Sequence, residues 1–361
     1  MRALLVLRSD AHVQPGGDVV HAARTRDALR VAGVDADIVA TELPEPAGYD
    51  VAHVFGIFEP ETAGRQMAAV REAGVPLVLS PIWLDLTPFL TIAPYLERAL
   101  RAPRAATTER RLAQLRRDED LLLRRGRAAA AAHRRLERQR ELVREAKVLI
   151  AGSETEAYLY GTVLRIGRIP VVVAPLGVDL EAFAAAAPLE RSGVLCAGRV
   201  EPKKNQAALL YALHDVNVEV TVVGRAYDEH YLSTCRRWAT PRTRFVDHLP
   251  QSELLRLMAR ARVHAHPSWL ETPGLSSVQA AAAGARLVVG DRGAEREYFG
   301  AEVDYADPAD PAAIREAVVR ALARGPRPAE DRLVGRLRER TWQRTGELTL
   351  RAYERALVGD A

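Results

Sequence analysis

Of the 51 basic residues only Lys147, Lys203 and Lys204 are lysine, and two of these are adjacent in the segment Gly198-Arg-Val-Glu-Pro-Lys-Lys-Asn205. The chain uses Arg almost everywhere else. A paired Lys is therefore a choice of a compact point charge on a flexible stem over a planar fork. The segment follows an apolar run of strand length and precedes the helical run Gln206–Leu213. In such a strand-to-helix loop an anion can rest on free backbone N–H groups and the positive end of a helix dipole. Arg199 and Lys204 would flank it, Arg with two parallel hydrogen bonds and Lys with its charge.

A second segment runs from Pro267 to Gly284, reading Pro-Ser-Trp-Leu-Glu-Thr-Pro-Gly-Leu-Ser-Ser-Val-Gln-Ala-Ala-Ala-Ala-Gly. Pro273 and Gly274 break the chain, and a helix is expected over Leu275–Ala283. Gly274 would let a ligand approach the backbone closely. The amides of Leu275, Ser276 and Ser277 would form a second anion site at the helix start. Glu271 lies eight residues before Gln279. In a continuous helix that spacing spans about 12 Å along one side, enough to reach both ends of a nucleotide sugar.

These loops need rigid strands behind them. In the first half, Arg2–Leu7, Asp35–Ala40, Val51–Gly56, Pro76–Ile82, Lys147–Gly152 and Val171–Ala174 are short apolar runs between helix-like stretches. In the second, Gly193–Gly198, Glu219–Gly224, Arg244–Val246, Val263–His266 and Leu287–Gly290 repeat the pattern. Strands alternating with helices predict an α/β chain with two doubly wound parallel sheets, which bind ligands at the carboxyl ends of their strands. A junction is expected in Pro175–Ser192, and one last helix over roughly Asp331–Leu357. The domains would be 1–175, with an Arg-rich helical insertion about 95–145, then 176–340, then a terminal helix at 341–361 packing back on the first domain.

The 361 residues are 48% hydrophobic and 27% charged, with 24 Gly and 21 Pro. That usage excludes disordered, collagen-like and coiled-coil classes. No apolar run approaches the ~20 residues of a membrane span. The opening Met1–Asp10 fits a first buried strand rather than a signal peptide. Cys196 and Cys235 alone cannot build a disulfide framework or a zinc site, so a reduced, cytoplasmic protein is expected. The overall charge of +4 conceals a local excess. Between Arg98 and Lys147 fifteen Arg and one Lys face seven acidic residues, leaving the remainder net acidic. That stretch would line an acceptor site or a subunit contact, lie against an anionic membrane at about 1 kcal/mol per basic residue, or be a plain solvated helix. Tyr95 is the only aromatic residue from there to Glu145, and no nucleic acid is expected, since single-strand binding relies on aromatic stacking. Asp118-Glu-Asp120 reads as a solvated helix face rather than a metal motif.

The two loops resemble the nucleotide-sugar-binding half of family 4 GT-B glycosyltransferases. That family has a Gly-Arg…Lys-Asn loop followed by a Glu-x7-Glu motif. Pro175-Leu-Gly-Val-Asp-Leu-Glu-Ala-Phe183 is similar to its interdomain segment. Asp291-Arg-Gly-Ala-Glu-Arg-Glu297 is similar to its Gly-Gly…Glu turn, and Trp342 and Tyr353 fit its terminal helix. Gly16-Gly17-Asp18, Ser80-Pro-Ile-Trp83 and Glu297-Tyr-Phe-Gly300 resemble a bacterial subgroup.

The resemblance implies a retaining transferase. It would move a hexose-type sugar from a nucleoside-diphosphate sugar, UDP or GDP, to a hydroxyl of a glycan, lipid-linked carrier or small molecule, with no metal or cofactor. Arg199 and Lys204 would bind the diphosphate and Glu271 the sugar hydroxyls. Gly16, Gly17, Gly198, Gly274, Leu275 and Ser276 would contact phosphate. Val246 and His248, in the segment Val246–Leu249, would face the base. Asp18, His53 and Trp83 are acceptor- or sugar-side candidates. Two positions depart from the family. Gln279 replaces the second glutamate, which contacts ribose, so weaker nucleotide binding is expected. Ile82 replaces a histidine, for which His53 could substitute. The rival readings are a non-catalytic nucleotide- or glycan-binding member, a nucleotide-sugar epimerase or phosphorylase, and a basic membrane or nucleic-acid adaptor.

Overall fold

The structure, a computed structural model, describes residues 1–125, 127–178, 190–272, 274–325, 327 and 332–358. These form two six-stranded sheets in which every neighbouring pair is parallel. The chain divides into two compact units. One comprises Met1–Leu84, His133–Asp179 and Glu339–Ala361, the other Asp85–Ala132 and Leu180–Arg338.

The first unit holds β1 (Arg2–Leu7), β2 (Asp35–Ala40), β3 (Val51–Phe55), β4 (Leu77–Ser80), β5 (Val148–Ala151) and β6 (Val171–Val173), in the order β2-β1-β3-β4-β5-β6. Its strands are apolar on both faces because helices cover both. Leu4, Val6, Val54 and Leu79 pack on one side with Met67, Trp83 and Leu142. Leu5, Leu7, Phe55 and Ile150 pack on the other with Leu29, Ala352 and Tyr353. Period-2 burial on two faces is what near-continuous apolar strands produce in a parallel sheet.

The second unit holds β7 (Ser192–Ala197), β8 (Val220–Val223), β9 (Thr243–Val246), β10 (Ala261–His266), β11 (Arg286–Gly290) and β12 (Asp304–Ala306), in the order β12-β11-β10-β7-β8-β9. The strand order reverses between β7 and β10, which pair directly with Val263 opposite Val194. Ligands in open parallel sheets bind outside the carboxyl ends at such a reversal.

Two expectations are corrected. The Arg-rich stretch does not sit wholly in the first unit, since Asp85–Ala132 groups with the second. Specific bonds hold it there. Trp238 Nε1 donates to Leu100 O at 2.9 Å and Arg101 Nε to Thr234 Oγ1 at 2.8 Å. Arg116 Nη1 lies 3.2 Å from Asp310, and Arg292 Nη2 donates to Glu119 Oε1 at 2.8 Å. Glu119, read as part of a solvated helix face, is thus an anchor. The single last helix is two, Arg332–Arg338 and Trp342–Val358. The break falls where Thr341 Oγ1 accepts from Arg344 N at 3.1 Å and Arg340 O from Val178 N at 2.8 Å. Asp331, Pro273 and the Asp179–Phe183 part of the interdomain-like segment lie outside the described residues. Among the described residues no helix is long and apolar enough to cross a membrane.

Candidate active site

The loop leaving β7 is built against the loops leaving β8 and β10. Gly224, with φ +148°, passes so close that a Cβ there would meet Gly198 O at 1.9 Å, so only glycine lets the two backbones cross. Asn205 adopts left-handed backbone, φ +62°, between a short 3-10 turn Pro202–Lys204 and the helix Gln206–Leu213. Its buried amide donates to Pro267 O at 3.1 Å and Pro308 O at 2.8 Å. Lys203 O accepts from Trp269 N and Ser268 Oγ, both at 2.9 Å. Three of these hydrogen bonds fix the lysine loop against the one that carries Glu271, and the fourth ties it to Pro308.

Within that frame Lys204 Nζ contacts Glu271 Oε1, and His266 Nε2 lies 3.2 Å from the same oxygen. Burial alone would raise the Glu271 carboxyl. The ammonium of Lys204, the His266 hydrogen bond and Lys203 outweigh it and hold the group well below the usual carboxylate range. Burial and the adjacent Lys204 ammonium lower Lys203 in turn. Arg199, with its side chain 31% exposed, reaches Glu201 Oε1 at 3.4 Å. Gly274, φ +82°, turns the chain into the helix Leu275–Ala282, and a Cβ there would press on the Glu271 side chain at 3.2 Å. Ser277 N and Val278 N bond back to Gly274 O, while the N–H groups of Leu275 and Ser276 have no acceptor among the described residues. Two cationic side chains and a helix start with open donors thus occupy the reversal point of this sheet. Such an arrangement has the charge and open donors to hold an anion, with a carboxylate beside it.

The helix begins only at Leu275, so Glu271 and Gln279 do not share one helix face and the 12 Å spacing does not apply. Val246 ends β9, where its carbonyl accepts from Gly224 N at 2.9 Å, and His248 is exposed.

In the first unit, Gly16 precedes the helix Gly17–Val31 in ordinary extended backbone, φ −133°, with Gly17 as the first helical residue. The three acceptor-side candidates carry structural bonds. Arg8 Nε donates to Asp18 Oδ2 at 2.8 Å. His53 is buried with Nδ1 2.9 Å from Tyr353 Oη and Nε2 2.8 Å from Ser80 Oγ, which leaves no nitrogen for a sugar hydroxyl. Trp83 is buried, its N donating to Glu156 Oε1 at 2.6 Å and its Nε1 to Gln139 Oε1 at 2.8 Å. Ile82, beside it, has φ +48°, an uncommon conformation for a β-branched residue.

Sequence reasoning did not single out His266, Asn205, Arg292 or Glu295. Arg292 joins Glu119 to Asp307 at 2.7 Å and covers the Trp269 ring at 5.4 Å. Glu295 is 1% exposed, and neither carboxylate oxygen has a partner among the described residues. Burial and the nearby Glu271 carboxylate push it well above the usual range. The alternation Arg262, His264, His266 against Ala261, Val263 and Ala265 in one strand was the available signal.

Three comparisons bear on this site. Residues 191–324 match the family model described as "Glycosyl transferases group 1". Glycogen synthase from Mycobacterium tuberculosis is 30% identical over 235 residues, which span 61% of this chain and 56% of that relative. Sucrose-phosphate synthase from Thermosynechococcus elongatus superposes with a TM-score of 0.71 at 16% identity, covering 100% of both chains. HepE from Anabaena, solved in complex with UDP and glucose, gives 0.60 at 16% identity over 98% of this chain and 95% of that one. The two Rossmann-like sheets are the GT-B architecture of glycosyltransferase structures. The family match falls within the second unit, and the chain spans little more than half the length of the glycogen synthase it resembles.

Proposed function

We propose that this chain is a retaining glycosyltransferase that moves a hexose-type sugar from a nucleoside-diphosphate sugar to a hydroxyl acceptor. The carrying observation is the joint placement of Lys204, Glu271 and the open start of helix Leu275–Ala282 at the reversal point of the second sheet. Lys204 and Arg199 neutralise the diphosphate as it leaves, which puts positive charge where negative charge develops. Glu271 accepts from hydroxyls of the sugar. The bond from sugar C1 to phosphate oxygen breaks and the acceptor oxygen bonds C1 on the same face. The acceptor's proton passes to the departing diphosphate. The cations and helix dipole meet the phosphate charge, so the reading assigns no metal or cofactor.

UDP is the favoured nucleotide, since HepE binds UDP and glucose on the same fold. The acceptor is a glycan, a lipid-linked carrier or a small molecule. The buried free thiols Cys196 and Cys235 support a reduced, cytoplasmic setting. Contact with an anionic membrane gains little support, because Arg101, Arg116, Arg135 and Arg140 already hold protein partners.

The test is a thermal-shift panel of UDP, GDP, ADP, CDP and dTDP on wild type and Lys204→Ala. A ligand at 100 times its Kd stabilises by about 2.7 kcal/mol. A shift with UDP that Lys204→Ala abolishes is expected, and no shift with any nucleotide overturns the proposal.

A further inference from the structure

Strand β10, Ala-Arg-Val-His-Ala-His, places His264 and His266 on one side, both buried, with ring centroids 5.7 Å apart. Neither nitrogen of His264 has a partner among the described residues. His266 differs: its Nδ1 is unpartnered there, but its Nε2 meets Glu271 Oε1 at 3.2 Å. An ionised carboxylate only accepts, so in this bond the proton sits on Nε2. The ring lies close over Gly198, where an added Cβ would stand 3.0 Å from His266 Cε1.

Lys204 shares that same oxygen. On the proposed function, which this inference rests on, Lys204 serves the diphosphate and cannot neutralise Glu271 at the same time. Once the anion draws the flexible ammonium away, the hydrogen bond left on Glu271 Oε1 is the one from β10. We infer that His266 is a positioning residue, whose Nε2–H holds the Glu271 carboxylate in place for the donor sugar while Lys204 turns to the phosphates. His266 itself touches neither. It acts from a strand in the sheet interior, a more rigid mount than the loop that carries Glu271. The charged and titratable groups around the pair are Lys203, Lys204, His264 and Glu295.

His266→Leu keeps an apolar side chain and removes the donor, while His266→Gln keeps an amide donor. The probes are UDP and UDP-glucose, measured by calorimetry. UDP should bind all three proteins within about twofold. The extra affinity of UDP-glucose over UDP should fall by about tenfold or more in His266→Leu, as for one lost hydrogen bond to a charged group, and return in part in His266→Gln. In turnover the loss should appear mainly in kcat. An unchanged sugar increment in His266→Leu overturns the inference, and so does an equal loss of UDP binding, which marks a structural role. If wild type binds no nucleotide, the proposed function fails, and the positioning link is read from 13C NMR of the Glu271 carboxyl. Its titration midpoint should rise in His266→Leu, and an unmoved midpoint overturns the link.

Discussion

Lys204 and Glu271, 67 residues apart, meet as an ion pair with side chains only 15% and 11% exposed. Removing one partner of a buried pair costs about 3–5 kcal/mol, since the other charge is left without compensation. Lys204→Met should therefore lower the stability of the second unit as well as abolish anion binding. The pH dependence has a definite sign. The Glu271 carboxyl is depressed in the fold, so its stabilisation is complete above its unfolded value of 4.5 and is lost as pH falls through the folded value. Urea melts of wild type and Lys204→Met should differ most at neutral pH and converge in acid. A gap that is independent of pH would show that the pair does not set the Glu271 carboxyl.

Glu295 has the opposite sign. Its carboxyl is raised, so its favourable contribution is complete below 4.5 and is lost as pH rises towards the folded value. Both oxygens lack partners among the described residues, so ionising the group leaves an uncompensated buried charge. Glu295→Gln, which cannot ionise, should raise Tm at neutral pH and lose that advantage below about pH 4.5. An equal or lower Tm at neutral pH would mean that the carboxylate has a favourable partner.

The strands were readable because both sheets bury both faces. The run Arg2–Leu7 and the helix Gln206–Leu213 coincide with their elements, and most other strands differ by one or two residues at an end. β12, Asp304–Ala306, was overlooked because it opens on a buried carboxylate, Asp304, rather than on an apolar residue. Arg199, Lys204 and Glu271 stood out through an unusual lysine count and a resemblance to known loops. His266 and Glu295 did not, since their contacts are set by how β10 and the turn at Gly290–Glu295 pack. The partners of His53 and Trp83 were illegible for the same reason: a polar tip near a strand end is silent about whether it meets a ligand or Tyr353, Ser80 and Gln139. The Arg-rich helices read as a charged surface, yet particular arginines serve as fasteners.

Glu119 and Arg292 are one such fastening, with both side chains about one-fifth to one-quarter exposed. Arg292 keeps Asp307 when Glu119 is removed. Glu119→Ala should therefore cost only about 1 kcal/mol. The local effect should be larger. Amide exchange in the helix Ala105–Arg125 should speed up selectively, with β7 and β10 unaffected. Uniform acceleration across the second unit would mean that the contact supports the core instead.

Gly346 and Gly335 offer a pair of identical substitutions with opposite expected signs. Each lies inside a helix, Trp342–Val358 and Arg332–Arg338 respectively. On propensity alone, Gly→Ala gains about 0.8–1 kcal/mol at both. At Gly335 nothing lies within 4 Å of an added Cβ, so the gain should be realised. At Gly346 the same atom would stand 2.6 Å from Ala28 Cβ and 3.0 Å from Ala28 C, on the helix Gly17–Val31. Neither atom is the end of a flexible chain, so the two helices must separate. Overpacking of this kind costs about 1–3 kcal/mol, which exceeds the propensity gain. Calorimetry should show Gly335→Ala melting higher than wild type and Gly346→Ala melting lower. A rise for Gly346→Ala would mean that the contact between these helices relaxes at little cost, and that close approach is not what selects glycine there.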